Sequence, residues 1–367
     1  MATPSRPAHD HATRRARARR SVEQHGSTHL LVTDPVNVRY LTGFTGSNGQ
    51  LLLAPDADDD RLITDQRYDE RAATSCPDLD RILDRDPFSA TLTAAPSASL
   101  LVEAAHLSWQ QGRKLTDRAA ATGVHLDDAD GLVEQLRLSK DDAELDRLAT
   151  ACALTQDALT WLFAEVVREG RSERELAIAL ERRFVDTGAD GVAFPSIVAS
   201  GPNAAIPHHE PTDRPLTAGD LLTIDCGAIV DGYHADHTRT VGIDHLDAEL
   251  TEIHDLVRHA QAAGIEAVRA GTTGGAVDAA ARQVIEEAGY ADAFLHGTGH
   301  GVGLRIHEAP SVARESAATL RPGMALTVEP GIYLPGRGGV RIEDTLVVTS
   351  QAPARALTDT PRELRIL

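Results

Sequence analysis

The sequence predicts two domains of different class: an α/β N-terminal domain over 21–136 and an α+β C-terminal domain over 137–367, preceded by a basic tail over 1–20. Three observations carry this. A chain of 367 residues exceeds one typical domain. Its first third alternates short apolar runs with helical patterns, as layered α/β structures do. Near residue 139 the texture changes to long amphipathic helices and to strand pairs in separate runs, which is the α+β pattern.

The tail holds six arginines (Arg6, Arg14, Arg15, Arg17, Arg19 and Arg20) against one acid, Asp10. It reads as a short disordered extension, with contact to nucleic acid or anionic lipid as the other reading. Within 21–136, "HLLV" (29–32), "QLLLA" (50–54), "RLIT" (61–64) and "SLLVE" (99–103) read as strands. Between the first two lies a glycine-punctuated loop, "RYLTGFTGSNG". Ser139 precedes Asp142 by three residues, a capping-type helix start. Leu145, Leu148, Cys152, Leu159, Leu162, Phe163 and Val166 follow at helical spacing, and Gly170 stops the helix. Ser172 with Glu175 opens a second helix towards Gly188. Two more helices are expected over 247–270 and 275–288, closed by Gly271 and Gly289. Strands are expected at 220–230, 233–242, 324–329 and 340–349.

Composition narrows the class. Lys+Arg is 36 and Asp+Glu is 55, a net charge of −19, so the body of the chain does not suit nucleic acid or anionic lipid. No apolar run approaches the ~18 residues of a membrane span. The arginine run is followed by no apolar h-region, so no signal peptide is expected. Cys76, Cys152 and Cys226 are odd in number and show no paired spacing; they read as buried thiols in a reducing cytoplasm.

Two stretches carry chemistry. Residues 296–310, "HGTGHGVGLRIHEAP", place His296, His300 and His307 among glycines. Glycine lets another group approach closely, and imidazole is the commonest metal ligand. Residues 221–242, "LLTIDCGAIVDGYHADHTRTVG", contain the turn signal Asp231-Gly232. A two-residue turn there pairs Val230 with Tyr233, so Asp225 faces Thr238 and Gly227 faces Asp236. Side-chain alternation then puts Asp225 and Asp236 on one face as diagonal neighbours, roughly 7–8 Å apart at the backbone. Asp225 lies in an otherwise apolar run, and acids are rarely buried unpaired. Either a cation lies between the two aspartates or Arg239 pairs one of them. Glu329, in "ALTVEPG", and Glu343, in "GGVRIEDTLVV", add two glutamates within apolar strands that need partners. Four carboxylates and one imidazole suit Mn²⁺, with Co²⁺, Zn²⁺ or Fe²⁺ as further candidates. Four negative charges match two divalent ions, and a two-metal centre activates water and polarises a carbonyl or phosphoryl oxygen.

"IDCGAIVDGYHADHTRT", "HGTGHGVGLRIHEAP", "TVEPGIY" and "VRIED", in this order, resemble the pita-bread metallopeptidase family that includes aminopeptidase P, prolidase and methionine aminopeptidase. The resemblance covers most of 139–367. It implies a pita-bread (creatinase/aminopeptidase) C-terminal domain with Asp225, Asp236, His300, Glu329 and Glu343 as metal ligands. It also implies His296 and His307 on the substrate side, His208 of "AIPHHEP" as a further active-site histidine, and Arg341 beside the last ligand. Read on their own, His208 and His209 are a surface loop pair, and Arg341 pairs a strand carboxylate. "VTDPVNVRYLTGFTGSNGQLLL" and "LITDQRYDERA" resemble the creatinase-like N-terminal domain of Xaa-Pro peptidases, which methionine aminopeptidases lack. Ala235 and Arg305 depart from residues common in the family, a serine and an acid.

The activity so implied is a cytoplasmic dinuclear aminopeptidase releasing the first residue from peptides with proline in second place. The alternative is an Xaa-Pro dipeptidase (prolidase). A pita-bread binding protein without activity and a creatinase-like amidohydrolase are the rivals from other classes. Glu329 is the general-base candidate, and His208 and His307 the groups for the tetrahedral intermediate and the leaving nitrogen. Expected partners are a peptide substrate and further copies of the chain, in a dimer or tetramer, with no nucleic acid and no membrane.

Overall fold

The computed structural model describes residues 8–96, 98–129 and 131–367. The chain divides into two compact units, Ala8–Arg137 and Leu138–Leu367. The N-terminal unit runs α1 (His11–Gln24), β1 (His29–Val32), α2 (Pro35–Thr42), β2 (Gly49–Leu53), β3 (Arg61–Thr64), α3 (Asp69–Ser75), β4 (Asp80–Leu83), α4 (Pro87–Ala94), β5 (Ser99–Val102), α5 (Trp109–Thr122), β6 (His125–Asp128) and α6 (Leu132–Arg137). Its strands form one mixed sheet in the order β4-β3-β2-β1-β5-β6. β1 lies at its centre because Leu30, Leu31 and Val32 are apolar on both faces and fully buried.

The tail differs from its expectation. Residues 11–20 belong to α1, capped by Asp10, whose side chain accepts from Thr13 N–H. Arg14 and Arg15 are buried, and their guanidinium groups donate to the carbonyls of Tyr40 and Leu41. Arg19 forms a two-pronged pair with Asp60 at 2.8 and 2.9 Å. Arg14 and Arg15 thus close the open carbonyl end of α2, an attraction any cation has for a helix C-terminus. The expectation for residues 1–7 lies outside the described residues.

The C-terminal unit runs α7 (Asp142–Glu165), α8 (Glu173–Asp186), β7 (Gly191–Val192), β8 (Ile197–Ser200), β9 (Leu221–Cys226), β10 (Ala228–Val230), β11 (Tyr233–His234), β12 (His237–Gly242), α9 (Ala248–Ala267), α10 (Gly274–Glu287), β13 (Gly299–Gly301), β14 (Glu308–Val312), β15 (Ala325–Val328), β16 (Gly331–Leu334), β17 (Gly338–Arg341), β18 (Asp344–Val347) and β19 (Arg355–Ala356). All its strand pairs are antiparallel. Two helix pairs cover the strands. Leu159, Leu162, Leu176, Leu180 and Phe184 of α7 and α8 pack on Leu222 and Ile224 of β9. Ile253, Val257 and Ala260 of α9 pack with Ile285 of α10 on Ile332, Val340 and Ile342.

Local chemistry sets the boundaries. α7 starts on a capping box made by Asp141 and Glu144, not on Ser139, and it ends at Glu165, before Gly170. The Ser172–Glu175 box opens α8 as expected. The strands expected at 220–230 and 233–242 are each broken, at Gly227 and at Ala235-Asp236, and 340–349 is broken at Ile342-Glu343. Two of these breaks contain a buried acid, Asp236 and Glu343, and the third lies two residues after Asp225, which is itself paired with Thr238.

Candidate metal centre

The hairpin of β9–β12 fixes the first two acids. Asp231 and Gly232 take φ of 47° and 75°, the left-handed values that a tight two-residue turn requires. Val230 pairs with Tyr233 and Asp225 with Thr238, the register expected from the turn signal. Asp225 and Asp236 are both buried. Glu329 directly follows β15, and Glu343 lies in the gap between β17 and β18. Both are therefore at strand ends rather than inside strands.

His300 comes from β13, which the glycines make possible. A Cβ on Gly299 would stand 2.1 Å from the Thr327 carbonyl oxygen, so only glycine lets this strand lie against β15. His300 Nδ1 is 3.0 Å from the Gly301 carbonyl oxygen and donates to it, so Nε2 is the nitrogen turned towards the carboxylates. That Nε2 stands 3.4 Å from Asp236 Oδ2 and 3.4 Å from Glu329 Oε1. One ligand atom each from Asp236, His300 and Glu343 lie within 4.8 Å of one another.

The charges at this point are not balanced by protein cations. Arg341 Nη2 pairs with Asp225 Oδ2 at 2.8 Å, and Thr238 Oγ1 donates to Glu343 Oε2 at 2.7 Å. The other two oxygens, Asp225 Oδ1 and Glu343 Oε1, are buried without a hydrogen-bond partner among the described residues. Burial, then the neighbouring carboxylates, push the Asp236 and Glu343 carboxyls well above the usual range. Orphaned carboxylate oxygens facing a bare imidazole nitrogen fit a bound divalent cation, and the oxygen-rich set fits a hard one. Arg239, the rival partner for the aspartates, instead pairs with Asp344 at 2.8 Å.

A cavity of about 520 Å³ opens over this cluster, lined by His208, His296, His307 and Arg341 and walled by the apolar Phe194, Pro195 and Ile197. His307 packs edge-on to His300, ring centres 4.4 Å apart. Burial, and then the His300 ring, lower its pKa and so favour the neutral imidazole. His296 has both nitrogens engaged, Nδ1 with the Gly297 carbonyl at 2.7 Å and Nε2 with the Tyr333 hydroxyl at 2.8 Å. It can therefore offer a ligand its ring but no free hydrogen-bonding atom. Tyr333 was not singled out from sequence. Its buried hydroxyl accepts from Arg341 Nη1 at 2.8 Å and so ties His296 to the Asp225 pair. An apolar strand tyrosine gives no local sign of this; only its position two residues beyond "EPG" could have marked it.

Comparisons with known proteins identify the family. The model of metallopeptidase family M24 matches residues 146–350, and that of the creatinase/prolidase N-terminal domain matches residues 14–139. The chain is 40% identical over 235 residues to an Xaa-Pro dipeptidase of Pyrococcus furiosus, covering 64% of this chain and 67% of the relative. A solved structure of an Xaa-Pro dipeptidase from Bacillus anthracis superposes with a TM-score of 0.92 at 35% identity, covering 98% of this chain and 100% of that one. An X-Pro aminopeptidase from Thermotoga maritima gives 0.87 at 32%, covering 96% and 99%. With a pita-bread C-terminal domain behind a creatinase-like N-terminal domain, the chain belongs to metallopeptidase family M24.

Proposed function

We propose that this metallopeptidase is a cytoplasmic Xaa-Pro dipeptidase that hydrolyses dipeptides with proline in second place. The observation that carries the reading is the convergence of Asp225, Asp236, Glu329, Glu343 and His300 Nε2 beneath a cavity lined by four further histidines. Xaa-Pro dipeptidases and prolidases recur among the proteins similar to this chain, which favours this over the aminopeptidase. The aminopeptidase remains the second reading, favoured by the similarly complete match to the Thermotoga enzyme. Three buried free cysteines suit a reducing compartment.

In this reading Asp225, Asp236, His300, Glu329 and Glu343 hold two divalent ions, Mn²⁺ foremost. When bound, such ions supply Lewis-acid activation of water and of the scissile carbonyl. Glu329, the least buried of the four carboxylates, takes the proton of the attacking water. His307, neutral and beside His300, donates to the oxyanion. His208 serves the proline nitrogen, which has no N–H of its own to hydrogen-bond. Arg341 holds Asp225 and Tyr333 and presents its edge to the cavity, and His296 contributes ring surface. Ala-Pro, Ala-Pro-Ala and Ala-Ala hydrolysis by Mn²⁺-reconstituted protein tests the reading. Rapid cleavage of Ala-Pro alone is expected. Cleavage of Ala-Pro-Ala between its first two residues returns the assignment to the aminopeptidase, and equal rates on Ala-Ala remove the proline requirement.

A further inference from the structure

The segment that carries His208 has little regular structure of its own. Between β8 and β9 it contains only a short 3₁₀ turn, Gly201–Ala205, yet it supplies Pro207, His208, His209, Glu210 and Pro211 to the cavity wall. A loop of this kind has no ladder to hold it, and its ordering must come from elsewhere.

Backbone bonds such as Arg174 N–H to the Thr212 carbonyl and the Arg341 guanidinium on the Pro207 carbonyl hold parts of it, and one side chain gathers most of the rest. Glu173, the first residue of α8, is fully buried and accepts six hydrogen bonds, all from residues 200–212. Oε1 accepts from Ser200 N–H at 2.8 Å, Ser200 Oγ at 2.8 Å and Asn203 Nδ2 at 2.9 Å. Oε2 accepts from His209 Nε2 at 2.8 Å, Thr212 N–H at 3.0 Å and Thr212 Oγ1 at 2.7 Å. The donors run from Ser200, the last residue of β8, to Thr212, and one of them is the neighbour of His208. The arrangement needs a charged carboxylate: six donors and no proton fill both oxygens, and a buried charge is tolerated only when so satisfied. Burial alone would raise the Glu173 pKa, but these bonds outweigh it and hold the group at about 2, ionised throughout the neutral range. Its place in the first turn of α8 adds the favourable end of the helix dipole.

We infer that Glu173 is a positioning residue for catalysis: its carboxylate ties both ends of the 200–212 loop together and so sets the place of the His208 imidazole over the metal-ligand cluster. The inference rests on the proposed role of His208. Glu173 touches neither substrate nor ligand cluster, and acts only through the loop. A misplacement of about 1 Å in a reacting group is enough to lower a rate substantially.

The test is a double-mutant cycle with a structural readout. Glu173→Gln keeps the shape but turns one acceptor oxygen into a donor facing donors. In otherwise unaltered enzyme it should lower kcat on Ala-Pro at least tenfold, with metal content unchanged. In the His208→Ala background the same substitution should change kcat less than threefold, because its effect passes through His208. Hydrogen exchange should accelerate for amides of 200–212 and stay unchanged in α9 and α10. Should Glu173→Gln not fold, Asn203→Ala and Thr212→Val each remove donors from the cluster and should show the same pattern at smaller size. An equal loss in both backgrounds, or unchanged kcat with unchanged exchange over 200–212, overturns the inference. Normal kcat in His208→Ala itself refutes the role of His208, and with it the inference, whereas the exchange pattern then still reports whether Glu173 anchors the loop.

Discussion

Removing divalent metal should destabilise the C-terminal unit, and more so at higher pH. Four carboxylates meet beneath the cavity, with Arg341 on Asp225 as their close guanidinium partner. Without metal the cluster persists only by keeping protons on Asp236 and Glu343, whose pKa values burial and then neighbouring carboxylates push up. A carboxyl with a folded pKa above its unfolded one adds stability that is complete below the unfolded value and is lost as pH rises through the folded value. Metal-stripped protein should therefore weaken from about pH 4 upwards. Metal-loaded protein, its carboxylates ionised, should not share that decline. At free metal about 100-fold above Kd, each ion adds about 2.7 kcal/mol. A unit of roughly 150–250 residues shifts its melting temperature by about 2–4 °C per kcal/mol, so two ions separate the two forms by roughly 10–20 °C near neutral pH. Scanning fluorimetry of chelated and Mn²⁺-reconstituted protein across the neutral range, with metal content checked by elemental analysis, measures both effects. A melting temperature unchanged by verified metal removal, at every pH, would refute a convergent buried carboxylate cluster.

Three further outcomes are expected. His208→Ala and His307→Ala should each lower kcat by roughly 10²–10⁴-fold while the metal stays bound, because neither is among the proposed ligands; wild-type kcat in both, by steady-state assay, removes them from the mechanism. Gly299→Ala puts a methyl 2.1 Å from the Thr327 carbonyl oxygen, so β13 must leave β15 and carry His300 with it; metal stoichiometry should fall even in protein that still folds, and two full equivalents would contradict the geometry. At acid pH Glu173 acts with the opposite sign to the metal cluster. Its depressed pKa gives stability that is present above the unfolded carboxyl value and lost as pH falls towards about 2. Glu173→Gln should flatten that acid limb in thermal melts, and an unaltered limb would show that Glu173 is not the group responsible.

The local elements were legible in the residues because their causes are local. Ser172 and Glu175 cap α8 whatever lies around them, and "HLLV" and "RLIT" became β1 and β3 with their expected bounds. The Asp231-Gly232 turn even set the register that puts Asp225 opposite Thr238, since a two-residue loop leaves one way to pair its strands. The arginines of α1 misled: a run of charge reads as solvated, and nothing near it in sequence shows that the carbonyls of Tyr40 and Leu41, one element away, are waiting for donors.

The division is sharpest at the site. Residue type and setting, acids and a histidine in apolar or glycine-rich surroundings, marked which side chains hold unusual chemistry, because burying a carboxylate is too costly to occur without a purpose. Which partner each one took was decided only by folding. Arg239 on β12 and Arg341 on β17 are equally good cations, yet one meets Asp344 and the other Asp225. Glu173 gives no sign in its helix that six donors from a loop up to 39 residues later will surround it. Hydrogen bonds and ion pairs act over about 3 Å of space, and a chain carries no record of such distances until its sheets and helices have packed.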